Sequence, residues 1–92
     1  MKAMLICYSL GNVNHDVRSA FKRELMGYVD KSNNGMYEYQ RKGLLDEIPH
    51  IKPAKGVIIV KENDSNRVKR LLRKYKAHLK SFDIDIKQSM LH

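Results

Sequence analysis

The sequence predicts an α+β fold, a ferredoxin-like βαββαβ sandwich with a four-stranded antiparallel sheet and two helices on one face. Three observations support this prediction. Segments of the chain follow one another in the order strand, helix, strand, strand, helix, strand. The first and third strands are the most apolar, as the central strands of such a sheet should be. The 92 residues also suit one domain, residues 1–92, with one modest core.

The first half of the chain predicts a buried strand and an amphipathic helix. The strand covers Lys2 to Ser9 and is largely apolar on both faces. The helix covers about Asp16 to Val29, because apolar residues recur there at three- and four-residue steps. Asn14 or Asp16 is suited to cap its first turn. The run "NNG" after the helix favours a turn, since Asn and Gly tolerate left-handed backbone conformations.

The middle of the chain predicts the second and third strands, with an irregular segment between them. The segment "MYEYQRKGLL", Met36 to Leu45, is half polar and suits an edge strand. In "DEIPHIKPAK", Pro49 and Pro53 argue against a continuous strand or helix. The segment "KGVIIVKE" is β-branched from Val57 to Val60, which indicates a buried central strand.

The last third predicts a helix and an edge strand. The helix covers about Ser65 to Ser81 and carries an apolar stripe. The strand "FDIDIK" alternates, with Phe82 on one face and Asp83 and Asp85 on the other. Two aspartates on one strand face are able to hold a hard cation. Such a pair more often keeps an exposed edge from joining other chains, so we predict no metal site there.

The positive charge is concentrated on the second helix. The chain has a net charge of +8, and residues 63–92 carry eight basic and three acidic side chains. No acidic residue lies between Ser65 and Lys80, so no ion pair along the helix offsets its charge. A solvated face is one explanation, and binding to nucleic acid or to an acidic protein surface is the other. The candidate nucleic-acid-binding residues are Arg67, Lys69, Arg70, Arg73, Lys74, Lys76 and Lys80.

The free face of the predicted sheet favours self-association over base stacking. An RNA-recognition motif would need aromatic residues on its central strands. Val57, Ile59 and Glu62 stand at the positions where they would be required. An aliphatic face of this kind is more simply explained by burial in a homodimer, because it would be a liability on a monomer.

Several kinds of protein are disfavoured by composition. Cys7 is the only cysteine, so an internal disulfide is impossible, and its apolar strand predicts a buried, inert thiol. No apolar run approaches the ~20 residues that a membrane helix needs. The N-terminus also lacks the pattern of a signal peptide. We therefore expect a cytoplasmic protein with no membrane partner.

The segment "ICYSLGNVNHDVRSAF", together with length and topology, resembles one group of proteins. It is similar to the small ferredoxin-like CRISPR-associated proteins of the adaptation complex and to the related GhoS-type antitoxin ribonucleases. Their first strand commonly ends in a Tyr-Asp-hydrophobic triplet, whose aspartate is the proposed metal ligand at a dimer interface. The triplet here is Tyr8-Ser9-Leu10. The resemblance implies a nucleic-acid-related role and dimerisation through the sheet.

Serine in place of the aspartate argues against carrying over the nuclease chemistry, because a neutral hydroxyl binds Mg²⁺ poorly. Our first hypothesis is a basic, homodimeric protein that binds nucleic acid or an acidic partner, without catalysis and without a cofactor. The second is a Mg²⁺-dependent nuclease with a site near Ser9, in which Asp16 acts with His15 or Asn14. The third is a protein-interaction or inhibitor module with a basic helix.

Overall fold

A computed structural model describes residues 1–32 and 34–91. Asn33, part of the predicted "NNG" turn, lies outside the described residues. The elements in chain order are β1 (Lys2–Ser9), α1 (His15–Met26), β2 (Tyr28–Ser32), β3 (Tyr37–Arg41), α2 (Leu44–Glu47), β4 (His50–Ala54), β5 (Val57–Lys61), α3 (Ser65–Lys74) and β6 (His78–Asp85). Single 3₁₀ turns lie at Glu62–Asp64 and Gln88–Met90.

Four of the strands form an antiparallel sheet in the order β4-β5-β1-β6. The prediction of an α+β fold with a four-stranded antiparallel sheet is thus confirmed. β1 and β5 occupy the centre, as their apolar composition predicts, and β6 lies at one edge. Leu5 of β1 is flanked by Ile59 of β5 and Phe82 of β6, so these three side chains share one face.

The core lies between the other face of this sheet and the helices. Ile6, Ile58 and Val60 are fully buried there. The helical side chains packed in the same cluster are Phe21 and Leu25 of α1 and Val68, Leu71 and Leu72 of α3. Each fully buried aliphatic side chain stabilises the fold by about 1.5–3 kcal/mol relative to exposure. Burial on a single sheet face means that α1 and α3 cover one side and leave the other uncovered.

The predicted edge strand at Met36 to Leu45 belongs to a different sheet. Its extended part is β3, which pairs with β2 in a separate two-stranded sheet. Every residue of β3 is exposed. The half-polar pattern of this segment is therefore that of a hairpin with solvent on both sides. The pattern alone did not distinguish that hairpin from a sheet edge.

Two glycines fix the point where the hairpin leaves the main body. α1 was predicted to continue to Val29, but it ends at Gly27, whose φ is 79°. A Cβ atom at Gly27 would overlap the carbonyl oxygen of Arg41, and one at Gly43 would overlap the backbone nitrogen of Gly27. The Gly43 N–H also donates to the Asp46 carboxylate at 2.8 Å. The two ends of the hairpin segment thus approach each other more closely than any side chain would allow.

Part of the segment with the two prolines, His50–Ala54, forms the other edge strand, which was not predicted, although no strand or helix runs through the whole segment. β4 pairs with β5, and its register shifts between Ile51 and Ala54. Pro53 lies within this irregular stretch. A proline lacks the N–H that a central strand needs, but an edge strand has one side free of partners. Pro53 is therefore compatible with an edge strand, and Pro49 lies just before that strand.

α3 is shorter than predicted and ends at Lys74 rather than Ser81. The Ala77 N–H donates to the Leu72 carbonyl at 2.9 Å, and the Lys76 N–H donates to the Arg73 carbonyl at 3.0 Å. This pair of bonds is the Schellman motif, which normally places glycine in the left-handed position. Here Lys76 holds that position with φ 56°, a conformation that costs a non-glycine residue roughly 1 kcal/mol. The chain then enters β6.

Two further expectations concern the burial of Cys7 and the absence of a membrane-spanning helix. The Cys7 thiol is partly exposed and is not the fully buried group that was predicted, because Cys7 lies on the sheet face that the helices do not cover. Within residues 1–32 and 34–91, every helix is too short or too polar to cross a lipid bilayer.

Candidate nucleic-acid interface

α3 presents its cations outward because its apolar side is fixed against the sheet. Val68 and Leu72 have no exposed surface, and Leu71 is also buried. Arg70 and Arg73 fall between these positions and are exposed. The 3.6-residue period thus divides the helix into a buried apolar side and a basic outer side, as predicted.

The structure separates the seven predicted binding residues into three groups. Five lie on α3, namely Arg67, Lys69, Arg70, Arg73 and Lys74. Lys76 lies in the turn after the helix. Lys80 lies in β6 opposite Cys7, on the uncovered face of the sheet. Their spacing would place Arg73, Lys76 and Lys80 on one side of a helix that reached Ser81, but α3 ends before Lys76, so these three residues form no ridge.

Two of the seven cations are engaged by carboxylates from distant parts of the chain. An Arg67 Nη2 donates to Glu47 at 2.6 Å. Lys74 Nζ donates to Glu24 at 2.7 Å, and the Tyr75 hydroxyl donates to the same carboxylate at 2.6 Å. The Lys74 and Tyr75 donors hold the pKa of Glu24 below its ordinary value. The same carboxylate raises the pKa of Lys74.

The other five cations of the predicted set are not engaged by carboxylates of the described chain. Across the part of the chain that the structure describes, no carboxylate oxygen lies within 4 Å of them. They are Lys69, Arg70, Arg73, Lys76 and Lys80. The first four, on α3 and its following turn, are called the free cations of α3.

A shallow groove runs beside the free cations. It has a volume of about 280 Å³ and is lined by Leu44 of α2 and by Arg67, Arg70, Leu71 and Lys74 of α3. Glu24 of α1 closes one wall. The groove combines apolar side chains with three cations, of which Arg67 and Lys74 are paired with carboxylates and Arg70 is one of the free cations of α3.

The structure does not bring the residues of the alternative nuclease site together in one cavity. Ser9 ends β1, and Asn14 caps α1 through a side-chain oxygen that accepts from the Val17 N–H at 2.9 Å. His15 and Asp16 follow in the first turn, fully exposed, with Nδ1 and Oδ1 4.0 Å apart. The linings of the two cavities beside Ser9 include neither of them. Among the described residues, no three His, Cys, Asp or Glu side chains are grouped so as to hold a metal.

A second cluster of cations was not predicted. It comprises Arg18, Lys22, Lys52 and Lys55, which line one cleft beside Tyr8. The only local signal was the spacing of Arg18 and Lys22, one helical turn apart. Lys52 and Lys55 come from a segment thirty residues further along, so their arrival at the same place depends on the fold.

Comparisons of this chain with protein-family models, with curated proteins and with solved structures found no match. The function of this chain is therefore inferred from the geometry and charge of the site itself.

Proposed function

We propose that this protein binds nucleic acid, without catalysis, through the outer side of α3 and the turn that follows it. One observation carries the proposal: the free cations of α3 lie along one surface with no carboxylate within 4 Å among the described residues. Like charges at three- and four-residue steps repel each other and lower helix stability. A polyanion that contacts them removes that cost.

The spacing of the free cations supports a phosphate backbone as the ligand. Arg70 and Arg73 lie three residues apart on the exposed side of one helix. Arginine donates through a planar fork that matches two phosphate oxygens. Nucleic acids carry one negative charge for each nucleotide, so adjacent cations are able to contact successive phosphates. Such contacts position the ligand without reading its bases.

We also infer that the main body is a ferredoxin-like unit made of β1, α1, β4, β5, α3 and β6. The strand order β4-β5-β1-β6 and the position of both helices over one face support this inference. The hairpin β2–β3 and the short α2 would then be an insertion between α1 and the second strand of the unit. The close approach of Gly27 and Gly43 gives that insertion a defined base.

The uncovered sheet face supports a homodimer as the assembled form. Leu5, Ile59 and Phe82 lie side by side there, and Phe82 is 53% exposed. A two-fold axis would place this surface against itself and bury the same side chains in both copies. Sedimentation at micromolar concentration should then give about twice the chain mass, and a monomer at all concentrations would contradict this part of the proposal.

A salt titration tests the binding surface. We expect Arg70→Gln with Arg73→Gln to reduce the slope of log affinity against log salt by about one to two units, because each lost phosphate contact removes roughly 0.7–0.9. Binding should weaken to a similar extent for different sequences. Arg73 is preferred to Lys74 here because Lys74 already pairs with Glu24.

A matched control removes the same charge elsewhere. Lys42→Gln with Lys87→Gln replaces two exposed lysines that lie outside α3 and the groove. This variant should keep the wild-type slope. An equal loss of slope in both variants would mean that net charge alone drives binding. An unchanged slope in the arginine variant would mean that α3 is only a solvated surface. Binding of an acidic polypeptide, with no binding of oligonucleotides, would favour the protein-interaction hypothesis.

A further inference from the structure

A second cationic site lies between α1 and the edge strand β4, next to the end of β1. It is a cleft of about 390 Å³. Two aromatic and four basic side chains line it: Tyr8, Phe21, Arg18, Lys22, Lys52 and Lys55. None of them belongs to α3, so the cleft is separate from the proposed binding surface of that helix.

The charge in this cleft is unbalanced. Its four cations come from α1, from β4 and from the turn between β4 and β5. None of the described residues that line the cleft is acidic, and no carboxylate oxygen in the described chain lies within 4 Å of the four cations. Four like charges brought together from separate segments raise the free energy of the unliganded fold. An anion in the cleft would lower it.

The cations are also partly oriented. The Arg18 Nη2 donates to the Gly11 carbonyl at 3.1 Å, which holds the guanidinium over the loop after β1. Lys52 Nζ donates to the Ala54 carbonyl at 3.3 Å. A single backbone contact leaves each group with further N–H donors for a ligand.

Aromatic side chains supply an apolar part of the lining. The Tyr8 ring packs edge-on against Phe21, with centroids 5.7 Å apart. The Lys52 ammonium lies 5.9 Å from the centroid of the Tyr8 ring. Burial raises the pKa of Tyr8 above its ordinary value. A tyrosine hydroxyl is neutral at pH 7 even without this shift, so it does not repel an anion. An apolar wall beside a cationic one suits a ligand that joins a planar ring to a phosphate.

We propose that this cleft binds one nucleotide, with its phosphate on the cations and its base against the Tyr8 side of the cleft. The volume lies at the lower end of the range for small-molecule sites, about 300–1,000 Å³, and suits a single nucleotide. The ligand is either a free mononucleotide or the phosphorylated terminal nucleotide of a strand. Because no α3 residue lines the cleft, the proposal stands or falls independently of binding by α3.

Calorimetric titration of the full chain tests the proposal with four probes. Adenosine 5′-monophosphate and adenosine are compared first, and then one short oligonucleotide with a 5′-phosphate or a 5′-hydroxyl. We expect the phosphorylated member of at least one pair to bind at least about tenfold more tightly, since ionic hydrogen bonds depend on the phosphate. A preference in the first pair identifies a free nucleotide, and a preference in the second pair alone identifies a strand end.

Three variants locate the binding. Lys22→Gln with Lys52→Gln should abolish the preference for the phosphate, whereas Lys42→Gln with Lys87→Gln should retain it. Arg70→Gln with Arg73→Gln should also retain it, which separates this cleft from the α3 surface. Circular dichroism and thermal unfolding verify that each variant is folded. Equal affinity for phosphorylated and unphosphorylated probes in the wild type, or an equal loss in the Lys42/Lys87 control, would overturn the proposal.

Discussion

The two faces of the four-stranded sheet differ at adjacent positions of the same strands. On the face covered by α1 and α3, Ile58 and Val60 have no exposed surface. Ile59, between them, points to the other face and is partly exposed, and its neighbour Phe82 across β1 is 53% exposed. Both faces are apolar, so composition does not decide which is buried. The position of the helices decides which face is buried. The apolar side chains on the uncovered face remain partly exposed after one chain has folded.

The covered face therefore determines the stability of the single chain, and the uncovered face is available for association with another molecule. Side chains under the helices contribute to the folding free energy of the single chain. Side chains on the uncovered face remain in contact with water until another molecule covers them. Substitutions on the two faces should therefore affect different measurements.

The largest expected effect is on stability at the covered face. Ile58→Ala should reduce the free energy of unfolding by about 2–5 kcal/mol, because it leaves a cavity under the helices. Ile59→Ala should cost about 1 kcal/mol or less, as is usual for a partly exposed site. Urea denaturation at low protein concentration measures both. Equal losses, independent of protein concentration, would show that the two faces are equally packed within one chain.

The next effect is on assembly at the uncovered face. Phe82→Asp removes the most exposed apolar side chain of β6 and places a charge in the proposed interface. Burying the exposed half of two Phe82 side chains is worth about 2–3 kcal/mol, so the dimer dissociation constant should rise roughly 50-fold or more. Sedimentation equilibrium measures it. Val29→Asp, at a similarly exposed apolar residue of the separate hairpin, should leave the dimer intact.

Dissociation in the Val29→Asp control as well would mean that the effect is not specific to the sheet face, whereas dissociation in that control alone would place the contact on the hairpin. A wild-type chain that is already monomeric would leave the uncovered face without the proposed partner.

The sequence predicted the two faces of the central strands but not what surrounds them. β1 and β5 were identified because they are the most apolar segments, as expected of central strands covered on at least one side. The end of α3 was misplaced because Leu79 and Phe82 continue the three- and four-residue spacing of its apolar stripe. In the fold they lie in β6, where Leu79 packs on the core and Phe82 points away from it.

The sequence likewise predicted only part of the candidate site. The basic side of α3 followed from local spacing alone. The pairing of its cations did not, because Glu47 is 20 residues and Glu24 is 50 residues from the cation that each engages. The cleft beside Tyr8 was missed for the same reason. Local periodicity predicts which side chains share one side of a single helix or strand. The charge balance at a surface also depends on which distant segments the fold brings together.

The smallest predicted effect concerns what holds α1 beside α3 over the covered face. The Tyr75 hydroxyl donates to Glu24 at 2.6 Å, and the Tyr75 ring packs edge-on against Phe21 at 5.5 Å. Tyr75→Phe keeps the ring and removes the donor. We expect a loss of about 1 kcal/mol at pH 7, since a hydrogen bond to a carboxylate at a partly exposed site contributes about that much.

The effect of this substitution should depend on pH in a defined direction. The pKa of Glu24 is lowered in the folded protein, chiefly by the Lys74 hydrogen bond and then by that of Tyr75. Stability from a depressed carboxyl pKa is fully present above the unfolded pKa, about 4.3, and is lost as pH falls through the folded pKa. The stability gap between wild type and Tyr75→Phe should therefore be constant from pH 7 to about pH 5 and narrow in more acidic solution. Urea denaturation across this range measures the gap. A gap that stays constant into acid would mean that the contribution of the Tyr75 hydroxyl does not depend on the charge of Glu24.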